Sequence, residues 1–280
     1  MKATIEGVTN PAGPRETTLD LSGVSTVYGP VRSWRVGASL GVDLICVNSV
    51  CSFNCSYCQL GSIQVRTNRR QAFVSTAKVL EDLEQSDWPS ADIITFSGSG
   101  EPTLALNLGE AIVAIRQRTG KPTLVLTNGT LLGREDVQLE LIESDRVFVK
   151  LDAATPDTFR RVNRPVPGVT LERIVAAAAR FRRRYPGRLG LQMMFLPNGK
   201  DALEDYARLV RRIGPDEIQV NTPTRPYPDG WYLASRGSHD GVDYPAHPLK
   251  PLTAERLEEI EDQLAALLPG VRIRGVRPRI

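Results

Sequence analysis

Short apolar segments alternate with longer amphipathic ones along the middle of the chain. The short segments predict six strands, at Asp43–Val47, Asp92–Ser97, Thr123–Thr127, Arg146–Leu151, Leu189–Phe195 and Glu217–Asn221. The longer segments predict helices at about 75–86, 106–119, 133–143, 169–184 and 201–213. This alternation is typical of βαβ units, so the sequence predicts an α/β protein with a parallel sheet. Six such units fit a partial (β/α)6 parallel barrel, whereas a complete barrel requires two more.

The two ends of the chain lack this alternation and predict short extensions. Four weaker elements are expected there: strands at Lys2–Val8 and Thr17–Val24, a helix at about 253–268 and a strand at Arg272–Val276. We therefore expect three parts: an N-terminal extension that packs on the barrel (1–39), the barrel core (40–225) and a C-terminal extension (226–280).

The composition is that of a large globular unit. Of the 280 residues, 41% are hydrophobic, and there is no run of 18 uncharged apolar residues, so no membrane partner is expected. The first residues do not resemble a secretory signal, and the chain has only four cysteines, so we expect a reducing, cytoplasmic location. The net charge of +3 is too small to indicate a nucleic-acid partner by itself.

Three of the cysteines lie close together, at Cys51, Cys55 and Cys58. Thiolates at this spacing can bind one metal ion or one iron–sulfur cluster. Both usually take four protein ligands in a closed site, so three ligands leave one position open, as a catalytic metal site requires. Two alternatives remain: unliganded thiols, or a structural zinc site that uses a ligand drawn from Cys46, His239 and His247.

The C-x-x-x-C-x-x-C spacing, with the aromatic Tyr57 directly before the last cysteine, resembles the radical S-adenosylmethionine (SAM) superfamily. The resemblance implies that Cys51, Cys55 and Cys58 bind one four-iron four-sulfur (4Fe–4S) cluster, whose open iron binds the amino and carboxylate groups of SAM. It also implies an external electron donor such as flavodoxin or ferredoxin. Cys46 lies in an apolar run, where we expect a small buried residue rather than a ligand.

Polar residues follow the predicted strands, at the edge where parallel sheets place their active sites. The segment Ser97–Pro102 resembles the superfamily's Gly-Gly-Glu-Pro motif, which holds the SAM amino group. Gly98 matches its first glycine, Ser99 or Gly100 its second, and Glu101 its carboxylate. By the same resemblance, six further residues are expected to contact SAM: Tyr57, Asn128, Lys150, Asp152, Gln192 and Asn221. Helix capping and turn formation are the alternative roles for such residues.

A closer resemblance is to the branch that contains the wybutosine tRNA-modifying enzymes and many uncharacterised bacterial Fe–S oxidoreductases. It covers Tyr28–Leu60, Thr95–Leu104 and Asp152–Pro165. Wybutosine enzymes use additional N-terminal cysteines for a second cluster and an N-terminal lysine for pyruvate. This chain has only Cys46 before Cys51 and no lysine between Lys2 and Lys78, so it departs from both features.

Three functions are consistent with the sequence. The first is a radical SAM enzyme, in which a reduced 4Fe–4S cluster cleaves SAM and starts radical chemistry on an unidentified, anionic small molecule. The second is a tRNA-base-modifying enzyme of the wybutosine kind. The third is a non-catalytic Fe–S electron-transfer protein. The cleavage requires no protein acid or base, so the sequence assigns no catalytic residue.

The anionic substrate is expected from arginines in the loops around the strand ends: Arg32, Arg35, Arg66, Arg69, Arg164 and Arg225. Guanidinium groups match carboxylate and phosphate, and several in one cleft attract an anion. We expect Arg32, Arg35 and Arg225 to contact the substrate, because proline and aromatic neighbours stiffen their loops. Surface ion pairs are the alternative.

Overall fold

The computed structural model of the protein describes residues 23–46, 48–199, 202–237 and 243–276. The strands are β1 Val27–Ser33, β2 Gly37–Val42, β3 Val50–Cys51, β4 Val65–Arg66, β5 Ile93–Phe96, β6 Thr123–Thr127, β7 Arg146–Lys150, β8 Arg188–Met194, β9 Glu217–Asn221, β10 Tyr227–Pro228, β11 Ala246–His247 and β12 Arg272–Gly275. The helices are α1 Thr76–Glu84, α2 Leu108–Thr119, α3 Glu135–Ile142, α4 Pro156–Val162, α5 Leu171–Arg182, α6 Leu203–Ile213 and α7 Ala254–Leu267.

Eight strands form one sheet in the order β1-β2-β5-β6-β7-β8-β9-β12. The edge strand β1 is antiparallel to β2, and the other neighbours pair in parallel. Helices follow the strands and pack against one another in sequence, for example α1 on α2 and α5 on α6. This arrangement confirms the partial (β/α) barrel. None of the helices in the described ranges is long and apolar enough to cross a membrane.

The first predicted strand is wrong. The strand is Gly37–Val42, and the predicted segment from Asp43 onward turns instead. The Asp43 carboxylate accepts hydrogen bonds from the backbone amides of Ile45 and Cys46, at 3.0 and 3.1 Å, and these bonds close a turn. Cys46 completes it in a left-handed conformation, with φ of 66°. This turn lies directly after β2.

The predicted extensions are only partly described. The predicted strand at Lys2–Val8 and most of that at Thr17–Val24 lie outside the described residues. At the other end, α7 and β12 confirm the predicted helix and strand, and β12 pairs with β9. Strands β1 and β12 lie outside the predicted core but belong to the same sheet as the core strands. The sheet therefore marks no boundary at residue 39 or 225, and the division into three parts stays a prediction.

The two faces of the sheet differ in character. The main hydrophobic core lies between the sheet and its helices, where Val125, Val147 and Leu191 are fully buried. On the other face, a small apolar cluster of Ile93, Leu124 and Phe148 is separate from that core. Successive side chains of a strand point to opposite faces of the sheet, so the strands direct polar side chains to this inner face while their apolar neighbours enter the core. The inner face can therefore line a polar cavity.

Candidate functional site

A cavity of about 420 Å³ lies on the inner face of the sheet, at the carboxyl ends of its strands. Most of the predicted site residues line it: Arg32, Arg35, Cys51, Cys55, Tyr57, Cys58, Gly98, Gly100, Glu101, Asn128, Lys150, Gln192, Asn221 and Arg225. Ser99 and Asp152 are buried behind this lining, where they hold other site residues. The sheet therefore brings together residues that are far apart in the sequence.

The cysteine loop is fixed by backbone hydrogen bonds on both sides. On one side, β3 pairs in parallel with β4, and the Thr67 amide donates to the Cys51 carbonyl at 3.1 Å. On the other side, the amides of Asn54 and Ser56 donate to the carbonyls of Asn163 and Val162, at 3.0 and 2.8 Å. The loop therefore joins β4 to the end of α4, and its three thiols line one cavity.

Asparagine side-chain amides donate to two of the three sulfur atoms. Asn128 Nδ2 lies 3.5 Å from Cys51 Sγ, and Asn163 Nδ2 lies 3.4 Å from Cys55 Sγ. Burial raises the pKa of the Cys55 thiol to about 12, while the Asn163 amide favours its thiolate. Burial likewise raises the pKa of Cys51 and of Cys58. Partly buried thiols with amide donors fit a positively charged metal group, which takes the place of their protons when it binds.

A single zinc ion and a cluster require different spacings of the thiols. In the described ranges, no three Cys, His, Asp or Glu side chains are grouped so that they could hold one metal ion. Tetrahedral zinc, with Zn–S bonds of about 2.3 Å, draws its ligand atoms close together, whereas each thiolate of a 4Fe–4S cluster binds a different iron.

The candidate fourth zinc ligands lie elsewhere. The Cys46 thiol is buried, with Arg236 Nη1 at 3.1 Å from its sulfur, and it does not line the cavity. His247 Nε2 lies 2.9 Å from Asp229 Oδ1, on the exposed side of the β10–β11 pair. His239 is outside the described residues. Cys46 is buried in the hydrophobic core, as expected, and its sulfur also contacts the Arg236 guanidinium.

Glu101 is fixed by hydrogen bonds at the end of β5. Its Oε1 accepts from the hydroxyls of Thr103 and Thr127, both at 2.6 Å, and its Oε2 accepts from the Asn128 amide at 2.6 Å. Burial raises the pKa of this carboxyl, and the hydrogen bonds oppose that effect. A carboxylate held this rigidly at the cavity wall can orient a cationic group such as an amine.

The turn before Glu101 packs directly on the cysteine loop. A Cβ atom at Gly100 would overlap the backbone oxygen of Val50, and one at Gly98 would come within 2.5 Å of Asp43 Cγ. Ser99 is buried in the same turn, and its hydroxyl lies 2.5 Å from Asp43 Oδ2. Small residues here therefore join the Glu101 turn to β3 and to the end of β2.

Asp152 is the centre of a second network. Its Oδ2 accepts hydrogen bonds from the Tyr57 hydroxyl and from Asn163 Nδ2, the latter at 2.8 Å. Its Oδ1 lies 3.1 Å from Lys150 Nζ and accepts from the Met194 amide at 3.1 Å. The Lys150 ammonium also lies 5.2 Å from the centre of the Tyr57 ring. Asp152 thus orients Tyr57 and Lys150, which face the cavity.

The predicted residues on β8 and β9 occupy the far wall of the cavity. Gln192 Nε2 donates to Gln219 Oε1 at 3.1 Å, so the two amides fix one another across neighbouring strands. Asn221 Oδ1 accepts from the Thr222 amide at 2.9 Å, and among the described residues its Nδ2 group has no hydrogen-bond acceptor. Both side chains can offer polar contacts to a bound ligand.

Three of the six arginines line the cavity, and Arg66, Arg69 and Arg164 do not. Arg225 donates to Gln59 Oε1 and to the Gly237 carbonyl, while the Arg35 guanidinium lies 5.5 Å from the centre of the Trp34 ring. Burial and the charge of Arg225 lower the pKa of Arg35 to about 10. Among the described residues neither guanidinium is paired with a carboxylate, so this part of the cavity has an excess of positive charge.

The site and fold define a class of protein, and sequence comparison identifies it. The sequence model of the radical SAM superfamily matches residues 45–210, a range that includes the three cysteines and β5 to β8. The chain therefore belongs to the radical SAM superfamily, and it is an enzyme of that class. Members of the superfamily use a 4Fe–4S cluster and SAM.

Within this superfamily, the chain is 44% identical to the UPF0026 protein slr1464 of Synechocystis over 252 residues, which are 89% of this chain and 95% of that protein. A solved structure of TYW1 with a lysine–pyruvate adduct matches with a TM-score of 0.59 at 15% identity, over 83% of this chain and 75% of the other. Streptococcus suis SuiB bound to SAM matches with a TM-score of 0.58 at 15% identity, over 84% and 50%. The two structural matches are likenesses of fold.

Three residues of the site were not predicted from the sequence. Asn163 lies in the Asp152–Pro165 segment that carried the branch resemblance, and its position after α4 was a usable signal. Asp43 is predicted as the first residue of a strand, which gave no sign of its role in a turn. Arg236 lies in an irregular segment that has no motif, so no sequence signal pointed to its contact with Asp43.

Proposed function

We propose that this protein holds one 4Fe–4S cluster on Cys51, Cys55 and Cys58 and cleaves SAM reductively, to start radical chemistry on an anionic small molecule. The observation that carries the proposal is that the three partly buried thiols line the same 420 Å³ cavity as Glu101, at the carboxyl ends of the strands. A bound cluster, once reduced by an external donor such as flavodoxin or ferredoxin, supplies the one electron that the cleavage requires.

The chain's own groups position the reactants. Glu101 is held by four hydrogen bonds and faces the cavity, where it would accept hydrogen bonds from the amino group of SAM. Asn128, Lys150 and Tyr57 offer polar and aromatic contacts on the same side, and Gln192 and Asn221 offer amides on the far wall. Asn128 and Asn163 donate to the cysteine sulfurs, which stabilises negative charge on the thiolates.

The cluster and the cleavage are tested together. Anaerobic reconstitution is expected to give about four irons per chain, because three thiolates and SAM complete the ligation. With dithionite, the reconstituted enzyme is expected to convert SAM to deoxyadenosine and methionine. The variant Cys55→Ala/Cys58→Ala is expected to lose both iron and turnover, whereas Cys46→Ser is expected to keep them. Full iron in the double variant would contradict the proposal.

The anionic substrate is supported by the two cavity guanidiniums that have no carboxylate partner among the described residues, Arg35 and Arg225, with the exposed Arg32 at the rim. Ligand binding to the native state raises its melting temperature, so citrate and inorganic phosphate can serve as probes. We expect both anions to stabilise the wild type and to lose most of this effect in Arg35→Ala and Arg225→Ala. The control is Arg183→Ala, on the exposed end of α5. Equal stabilisation of all four proteins would place the anion site elsewhere.

The tRNA-modifying alternative has less support. The TYW1 structures share the fold at 15 to 16% identity. One of them carries a lysine–pyruvate adduct, whereas this chain has no lysine between Lys2 and Lys78. A salt-dependent affinity for tRNA would favour that alternative. The electron-transfer alternative predicts no SAM turnover, so the dithionite assay separates it from the other two.

A further inference from the structure

Five exposed arginines flank the cysteine loop outside the cavity: Arg66, Arg69, Arg160, Arg161 and Arg164. We refer to these five residues as the arginine patch. In the two segments that carry them, 61–75 and 156–168, the only acidic residue is Asp157, which pairs with Arg160. The remaining arginine of these segments, Arg70, is turned inward and pairs with Asp136 and Glu140. The patch therefore carries a clear excess of positive charge.

The patch is connected to two of the thiols by short routes. Arg66 is the β4 residue directly opposite Cys51 in the β3–β4 pair. Arg66 Nη2 also donates to the backbone carbonyls of Arg164 and Pro165, at 2.9 and 3.2 Å, which joins the two segments of the patch. Arg164 directly follows Asn163, whose amide lies 3.4 Å from Cys55 Sγ. The exposed Arg164 is therefore the direct neighbour in sequence of a side chain, Asn163, that contacts a thiol.

This arrangement fits the entry of an electron. In the proposed function the cavity side of the thiols is occupied by SAM and substrate, so a reductant must approach from another side. Electron transfer between proteins slows steeply with distance, so a productive contact must lie close to the cysteine loop. Exposed positive charge at such a contact attracts an acidic partner and orients it during encounter.

We propose that the arginine patch is the docking surface for an acidic one-electron carrier protein. One electron leaves the reduced carrier and is gained by the cluster, with no bond made or broken, and the oxidised carrier then dissociates. The proposal rests on the proposed function, because it requires a cluster at Cys51, Cys55 and Cys58.

The test uses the reconstituted enzyme with a purified bacterial flavodoxin as the probe. In the variant Arg69→Glu/Arg164→Glu, two patch charges are reversed at side chains that make no hydrogen bond among the described residues. The matched control, Arg180→Glu/Arg183→Glu, makes the same change of net charge at the C-terminal end of α5, on the side of the sheet away from the cavity. Binding of labelled flavodoxin is measured directly, and cluster reduction is followed by loss of visible absorbance.

We expect the patch variant to bind flavodoxin at least about tenfold more weakly at low ionic strength, and its reduction rate to fall by a similar factor. The affinity of the wild type should decrease with added salt, and that of the patch variant should depend on salt much less. Methyl viologen is a small cation that needs no docking surface. We expect it to reduce both variants no more slowly than the wild type.

Equal flavodoxin affinity and rate in the wild type and the patch variant would overturn the proposal. It would also be overturned if the patch variant lost affinity for tRNA while flavodoxin binding was unchanged, because the patch would then be a nucleic-acid surface. Failure of the proposed function has a different signature. It would already be visible in the wild type, which would then hold no cluster or would not cleave SAM when methyl viologen is the reductant.

Discussion

At the scale of single residues, two asparagines connect the cysteine loop to the walls of the cavity. Asn128 Nδ2 donates to Ser52 Oγ at 2.8 Å and approaches Cys51 Sγ, while its backbone amide donates to Glu101. Asn163 bridges Cys55 Sγ and Asp152 Oδ2. Each asparagine therefore couples one thiol to one carboxylate, so the electronic environment of the sulfurs depends on side chains outside the cysteine loop.

Replacing Asn163 by Ala is expected to make the reduction potential of the reconstituted cluster more negative. The lost N–H donor stabilised negative charge on the Cys55 sulfur, which is greatest in the reduced state. We also expect SAM cleavage to fall by about 10- to 100-fold, the usual effect of removing such a supporting contact. Redox titration measures the potential, and Asn68→Ala, at an exposed position beyond β4, is the control. An unchanged potential would contradict this role.

The sequence predicted the residues that a motif marks and missed those that only the fold positions. The three cysteines and Glu101 stand in local patterns whose spacing already specifies the chemistry. Asp152 was predicted from its place after β7, but its role as the partner of Tyr57 and Lys150 depends on distances that only folding sets. Asn163 had a weaker local signal.

At the scale of elements, the strands from β5 to β9 were predicted close to their observed bounds because each is a short, largely apolar segment between turn residues. The β1–β2 hairpin was missed because β2 contains two glycines and no β-branched residue before Val42. Gly41 is required there, since a Cβ atom at this position would overlap the ring of Tyr28 on β1. A packing constraint therefore outweighs strand propensity.

The edge of the sheet is attached to the first helix by Asp82 on α1. Its Oδ2 accepts from the amide and the hydroxyl of Thr26, both at 2.7 Å, and its Oδ1 lies 2.5 Å from Lys78 Nζ. Burial by itself would raise the pKa of this carboxyl, but the hydrogen bonds from Lys78 and Thr26 outweigh it and hold the pKa below its usual value.

A lowered native-state pKa stabilises the fold at pH values above the unfolded pKa of about 4, and this stabilisation is lost as the pH falls through the native pKa. Asp82→Ala is therefore expected to reduce the free energy of unfolding at pH 7 by about 1–3 kcal/mol and to weaken its decrease below pH 4. Urea unfolding of the cluster-free chain measures both. Glu81→Ala, at the exposed neighbouring position, is expected to change neither. A steeper acid decrease in Asp82→Ala would show that the sign is wrong.

At the scale of the whole molecule, one buried ion pair connects the start of the barrel to its C-terminal part. Arg236 Nη1 lies 3.2 Å from Asp43 Oδ2, and Nη2 donates to the Ser25 carbonyl at 2.7 Å. The same Asp43 oxygen accepts from the amide and the hydroxyl of Ser99, in the turn that carries Glu101. No sequence pattern predicts a contact between residues separated by 193 positions, because only the closed fold brings them together.

We expect Arg236→Met to destabilise the protein by about 3–5 kcal/mol, because it leaves the Asp43 carboxylate buried without its partner. SAM affinity should fall as well, since Asp43 then no longer holds the Ser99 turn in place for Glu101. The double variant Asp43→Asn/Arg236→Met removes both charges and is expected to recover much of the stability, so the two effects should not add. Arg236→Lys should fall between wild type and Arg236→Met. Urea unfolding and equilibrium dialysis of SAM with reconstituted enzyme measure these effects, and additive losses in the double variant would show that the pair does not act as a unit.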